Sequence, residues 1–282
     1  MNEEKIVWFN GTLMGETEVH LSPFDLGVSV GLGVFETLSA YRGLAPTFPQ
    51  HYERLVSSAA EMDLSVPDAE EIADAVESVI RANGLGEQRA RVRISLGTGA
   101  RDLGGHCSSA DVQDYIIVTA IPQDDPKPMA ELVLVPKRCN EHSAVTGIKS
   151  SSYANHVLSY RYARKAGADE GVMLNTSGNI CECSMSNLFL VKDGKVLTPP
   201  LSSGCLPGVT RAVVMKLCQE ESILVEEWDL SEDDLFTADE IFITSSAREV
   251  QPAKMVDTEM QCPGPLSKRI AEAYQRNIHN EA

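Results

Sequence analysis

NTSGNICECSMSNLFLVKDGKVLTPPLSSGCLPGVTR, residues 175–211, is the stretch of this chain from which the fold is read. Residues 180–191 carry the period-two pattern of a strand with one buried face, and 196–198 continue it beyond Asp193-Gly194. That dipeptide tolerates the positive φ of a tight hairpin turn, so the two runs are expected to form a hairpin. Glu182 falls on the inward alternation, where a carboxylate is costly to bury without partners. Leu206-Pro207-Gly208-Val209-Thr210 then ends the strand period and opens a helix expected over 210–220.

Outward from this segment the same two periods alternate. Upstream, strands are expected at 6–9, around 18–21, and at 34–41, 90–96, 115–120, 131–136 and 171–175. Helices are expected at 51–62, after Pro49, at 70–82, which stops at Asn83-Gly84, and at 153–166, which closes at Gly167. Downstream come a strand at 240–244 and a terminal helix from about 266. GTGARDLGGHCSSADVQD, residues 97–114, is too polar for a core and reads as a long surface loop, the kind of segment that often carries substrate contacts. IPQDDPKPMA, residues 121–130, has three prolines and suits an extended linker. The expected organisation is therefore α+β in two domains, a smaller 1–120 and a larger 131–282, joined by 121–130.

With 282 residues, 43% hydrophobic and 23% charged, the chain has ample material for a buried core. A net charge of −17 disfavours a nucleic-acid backbone or an anionic membrane surface as partner. The start, MNEEKIVWFN, has no basic region followed by an apolar run, and no stretch of about 18 apolar residues occurs, so a cytoplasmic protein is expected. Seven cysteines (Cys107, Cys139, Cys181, Cys183, Cys205, Cys218 and Cys262) lack the paired spacing of zinc or redox sites; reduced, packed thiols and no metal are expected.

The opening segment, with its E-x-S-x-S-N-x-F run (Glu182 to Phe189) and L-x-G-x-T-R helix start (Leu206 to Arg211), resembles the signature of the class IV aminotransferases, fold-type IV enzymes of pyridoxal 5'-phosphate (PLP). The resemblance extends upstream to Lys149 with Tyr153 and Asn155, to RARVRISLGTG (89–99), HYERL (51–55) and GVFET (33–37), and downstream to DEIFITSSAREVQP (239–252). It implies a cofactor held at the interface of the two domains, with Lys149 carrying PLP as a Schiff base and then moving the substrate α-proton. By the same match Glu182 is the carboxylate beside the ring nitrogen, and Arg54 clasps the phosphate. Gly208, Val209 and Thr210, at a helix start, would offer N–H donors and a hydroxyl to that phosphate, with Leu206 beside them. Ser245 and Ser246 match further phosphate contacts, although an ordinary serine turn explains them as well. Ser186 matches a residue near the ring. Tyr153, one helical turn beyond Lys149, is either a contact to the ring oxygen or a packed core tyrosine. Phe35 and Thr37 would line the substrate pocket, and Arg101 and His106 would meet a substrate carboxylate.

Two departures from the family pattern stand out. Gly31-Leu32-Gly33 replaces a G-D-G, and Asp25-Leu26-Gly27 replaces a D-R-G; both partners of a conceivable ion pair are exchanged for leucine, which leaves no charge orphaned. Phe35-Glu36-Thr37 differs from the F-E-G typical of branched-chain aminotransferases. The resemblance implies amino-group transfer between an amino acid and a 2-oxo acid in a homodimer. The alternative is 4-amino-4-deoxychorismate lyase chemistry, which starts with the same lysine; a PLP-binding protein without catalysis is the reading from another class.

Overall fold

The computed structural model describes residues 4–99, 114–256, 258–259 and 262–281. Its chain divides into two compact units: the first runs to Asp124 and takes in Ile148–Tyr153, and the second comprises Asp125–Gly147 and Ala154–Glu281.

The first unit is a five-stranded antiparallel sheet faced by two helices. Its strands are β1 (Ile6–Phe9), β2 (Thr12–Gly15), β3 (Gly33–Tyr41), β4 (Arg89–Gly97) and β5 (Tyr115–Pro122), in the order β2-β1-β5-β4-β3. A short α1 (Leu26–Val30) precedes β3, and α2 (Phe48–Ala60) and α3 (Ala69–Ala82) follow it. Asp68 caps α3 by accepting from the Glu71 N–H, and Ile72, Val76, Val79 and Ile80 form its buried stripe at helical spacing. That stripe meets Leu38 of β3, Leu55 of α2 and Ile94 of β4, all fully buried. Truncating one such side chain to alanine costs about 2–5 kcal/mol.

The second unit is an eight-stranded mixed sheet in the order β11-β10-β9-β12-β13-β6-β7-β8. Its strands are β6 (Ala130–Cys139), β7 (Glu170–Asn175), β8 (Ile180–Cys183), β9 (Asn187–Lys192), β10 (Lys195–Thr198), β11 (Val225–Glu227), β12 (Glu240–Ser245) and β13 (Glu249–Met255). Helix α4 (Ala154–Lys165) packs on β6 and β7, α5 (Val209–Glu220) on β12, and α7 (Pro265–Glu281) on β13 and α5, while the short α6 (Glu232–Thr237) lies against β9. Phe189 and Phe242 face each other across β9 and β12, their rings stacked 4.8 Å apart.

Three sequence expectations need correction. The extended stretch expected around 18–21 gives way to β2, placed earlier, and a 3-10 turn at Glu16–Glu18, because Asn10-Gly11 makes a tight hairpin that starts the return strand at Thr12. The run 180–191 is two strands: β8 pairs with β7, a turn closed by the Cys183 N–H donating to Ser186 O follows, and β9 joins β10 and β12. Both strands are buried on both faces, so burial does not change across the break and the turn is hidden. The helix expected from 153 starts at Ala154, and Tyr153 precedes it.

Candidate active site

In the first unit Lys149 lies in an extended segment laid against the start of β3. The Phe35 N–H donates to Lys149 O at 2.9 Å, the Ser151 N–H to Gly33 O at 2.8 Å, and Val34 bridges Ser150 antiparallel. This explains the two glycines of Gly31-Leu32-Gly33. Gly31 has φ +74°, and a Cβ there would come within 2.8 Å of Ser152 Oγ; a Cβ on Gly33 would come within 2.6 Å of Leu96 O. Gly31 lets the lysine segment approach, and Gly33 lets the β4 backbone approach.

The lysine side chain then runs between aromatic rings. Lys149 Nζ is 4.6 Å from the Phe35 centroid and 5.6 Å from that of Tyr153, and the two rings meet edge to face at 5.3 Å. Tyr153 reaches Lys149 through the extended chain and not through the helical turn expected. Arg93, opposite Thr37 on β4, places its guanidinium carbon 3.8 Å from the Phe35 ring centroid; burial holds it below the ordinary arginine range. Phe35, Tyr153 and Lys149 are thus brought together, and Arg93, the strand partner of Thr37, joins them unforeseen.

Arg54, on α2, is held by a carboxylate. Its Nε donates to Glu36 Oε1 at 2.8 Å and its Nη2 to Oε2 at 2.7 Å, while His51 Nδ1 meets Oε2 at 2.7 Å. Burial alone would raise the Glu36 carboxyl, but the Arg54 charge and the bonds from Arg54 and His51 outweigh it and draw it down to about 2. Burial also lowers His51 against the pull of Glu36, which leaves the imidazole neutral at neutral pH. The fork facing Glu36 uses Nε and Nη2, and Nη1 lies outside that pair.

In the second unit Glu182 lies on β8, 5% exposed, amid nitrogen donors. His156 Nε2 is 3.1 Å from Oε1; the Leu206 N–H donates to Oε2 at 3.1 Å, and Asn187 Nδ2 at 3.4 Å. Asn187 Nδ2 also donates to Leu206 O at 2.9 Å. A Cβ on Gly208 would collide with Asn187 Oδ1, so a larger residue there must displace the Asn187 amide. Gly208 is the N-cap of α5 and supplies no side-chain cap, and Val209 and Thr210 form the buried first turn.

Nearby in sequence to Asn187, Ser186 is buried, and its Oγ has no hydrogen-bond partner among the described residues. At the end of β12, Thr244 Oγ1 is buried and without a hydrogen-bond partner among the described residues. Ser245 Oγ accepts from the Arg248 N–H at 3.2 Å, which is the serine turn weighed from the sequence; Ser246 follows it, half-buried. Arg101 and His106 lie outside the described residues.

The six described cysteines are free thiols. Burial pushes Cys183 and Cys205 up, the latter to about 12, and a hydrogen bond with Cys139 together with burial raises Cys181; these thiols are packing groups and not nucleophiles. Ligand atoms of Cys139, His156 and Glu182 lie within 4.8 Å of one another, a cluster that cysteine spacing alone does not reveal.

Comparison with known proteins settles the family. A family model described as amino-transferase class IV matches residues 33–256. The chain belongs to the class IV aminotransferases. The branched-chain-amino-acid aminotransferase of Escherichia coli K12 is 31% identical to this class IV aminotransferase over 286 residues, covering 95% of the chain and 91% of that relative. The D-alanine aminotransferase of Bacillus licheniformis is 30% identical over 289 residues, covering 98% of each. Among solved structures, the branched-chain aminotransferase of Thermoproteus uzoniensis with norvaline matches with a TM-score of 0.89 at 30% identity, over 99% of this chain and 96% of that one. This class IV aminotransferase is accordingly a PLP-dependent enzyme of α+β, fold-type IV architecture. The lyase alternative finds no support in these relatives over amino-group transfer. No described helix is long and apolar enough to cross a membrane.

Proposed function

We propose that this aminotransferase takes the amino group from an aliphatic L-amino acid and delivers it to a 2-oxo acid, with Lys149 as the residue that carries PLP and moves the substrate α-proton. The observation that carries the reading is Lys149 Nζ set beside the rings of Phe35 and Tyr153. Those faces offer an apolar wall to an aliphatic side chain, and Arg93 above Phe35 offers a cation to a carboxylate. The names of the E. coli and Thermoproteus relatives, the latter bound to norvaline, support the same substrate class.

When bound, PLP supplies the electron sink that makes the α-proton removable. In our reading Glu182 pairs with the ring nitrogen and Ser186 lies near the ring, with Tyr153 at the ring oxygen. Arg54 and the α5 start (Leu206, Gly208, Val209, Thr210) hold the phosphate, together with Ser245 and Ser246. The residues present fit such a group. Glu182 is already faced by N–H donors, the α5 start is a glycine with no side-chain cap, and the orphaned Thr244 hydroxyl beside Ser245 suits an oxyanion. Phe35 and Thr37 line the substrate side, with Arg101 and His106 as further carboxylate contacts.

We also propose a domain boundary within 121–130, a homodimer and a cytoplasmic enzyme. Exposed Phe24, Val28 and Val30 on the first unit support a partner surface, and the six free thiols among the described residues support a reducing compartment. A second reading, D-alanine as donor, follows from the Bacillus relative.

The test is to load the protein with PLP, add single amino acids without an acceptor, and follow the cofactor's yellow absorbance. Bleaching by L-valine, L-leucine or L-isoleucine supports the proposal, with Lys149→Ala unresponsive. Bleaching by D-alanine alone moves the assignment to the second reading.

A further inference from the structure

We propose that His156 is a positioning residue: it fixes the Glu182 carboxylate in the orientation that meets the cofactor's ring nitrogen. The inference rests on the reading of Glu182 given above.

An ionised carboxylate has about four lone-pair sites. At Glu182 three are taken, by Leu206 N–H and Asn187 Nδ2 on Oε2 and by His156 Nε2 on Oε1. The two oxygens are thus held differently. Oε2 is fixed by a backbone N–H and by an amide that is itself tied to Leu206 O, so that end of the carboxylate is set by the β9 and α5 framework. Oε1 is met by His156 Nε2, and His156 comes from a third element, the first turn of α4. Remove the imidazole and the carboxylate keeps its anchor at Oε2 while Oε1 is released to turn about the terminal torsion, which for a glutamate is broad.

The bond also assigns the tautomer. Because Glu182 can only accept, the proton sits on His156 Nε2. One lone-pair site then remains on the carboxylate for a ring N–H, in a direction set by the His156 bond. Placement from three separate elements gives a rigid acceptor, as outer partners do for the ligands of a bound metal.

The test compares His156→Leu, which removes the donor, with His156→Gln, whose side-chain amide can replace Nε2, and with Glu182→Gln. Each is loaded with PLP; the dissociation constant is read by equilibrium dialysis and the ring's orientation by circular dichroism in the cofactor's visible band. His156→Leu is expected to weaken PLP binding about tenfold, the effect of one hydrogen bond to a charged group, and to diminish the visible band. His156→Gln should restore most of both. Glu182→Gln should be more severe, and adding His156→Leu to it should change little further, since the imidazole acts through the carboxylate.

A merely structural histidine would lower the thermal midpoint of the PLP-free protein without changing the dichroism of the loaded one, and that result overturns the proposal. So does a folded His156→Leu with wild-type affinity and dichroism while Glu182→Gln is impaired. If Glu182→Gln itself behaves as wild type, the assignment of Glu182 to the ring nitrogen fails, and the role of His156 falls with it.

Discussion

Glu36 and Glu182 are both buried carboxylates with a histidine neighbour, yet they are satisfied in different ways. Glu36, fully buried, is met by the charged fork of Arg54 and by His51. Glu182 is met by a backbone N–H, an amide and an imidazole. A guanidinium neutralises its carboxylate, so Glu36 is spent on holding Arg54 in place. Donors that leave a lone-pair site open keep Glu182 able to accept from a further group. The first carboxylate holds a side chain, and the second keeps capacity for a ligand.

Glu36→Gln breaks this contrast most strongly. It takes from Arg54 the carboxylate its fork meets, and loss of one member of a buried pair costs about 3–5 kcal/mol. Urea unfolding should show that drop, together with weaker PLP binding because Arg54 is no longer held. A stability loss below about 1 kcal/mol would mean that the pair does not hold the helix and strand together.

Acid acts on the same cluster in the wild type. The Glu36 carboxyl is drawn down in the folded state from an ordinary 4.5 to about 2. Its contribution, on the order of 3 kcal/mol, is present above pH about 4.5 and lost as the pH falls toward 2. His51, depressed by burial, binds its proton more readily when unfolded, so folding also weakens as the pH falls below its ordinary 6.5. The signs agree: urea midpoints measured from pH 7.5 to pH 3 should fall, and by less in Glu36→Gln.

At Glu182 the expectation reverses. Glu182→Gln keeps an oxygen for Leu206 N–H and removes the charge, so stability should change by less than about 1 kcal/mol while turnover falls roughly hundredfold, comparable to losing one preorganised electrostatic contact. Steady-state rates at saturating PLP, paired with urea melts, would separate the two carboxylates: one sets stability, the other rate.

How far the sequence discloses this differs between the two sites. Glu182 could be singled out because it lies on a strand alternation inside a long motif, and Lys149 because its neighbours match in order. Most strands and helices were legible from period alone; β13 was missed because Pro252 and Lys254 blur its alternation. The break between β8 and β9 was hidden, since both are buried on both faces. His156, Asn187 and Arg93 could not be placed, because each meets its partner through sheet pairing or chain reversal. The mismatch in the sequence falls on Leu32, and the reason for the flanking glycines lies in packing, against the lysine segment at Gly31 and against β4 at Gly33.

The smallest expected effect tests how the Glu182 end is built. Asn187 Nδ2 reaches both Glu182 Oε2 and Leu206 O, and its Oδ1 occupies the space where a side chain on Gly208 would start. The φ of Gly208 is −66°, so alanine there carries no backbone penalty, and its cost is the collision alone. Gly208→Ala must push the Asn187 amide aside, at about 1–3 kcal/mol of overpacking. That displacement loosens the bonds to Leu206 O and Glu182, so PLP affinity should fall along with the urea midpoint. Asn187→Ala in the same background removes the obstructing oxygen, and the double variant should regain stability relative to the sum of the two single changes. Additive losses would show that Gly208 is required for something other than the approach of Asn187, and the glycine would then belong to the ligand side of the comparison, with Glu182.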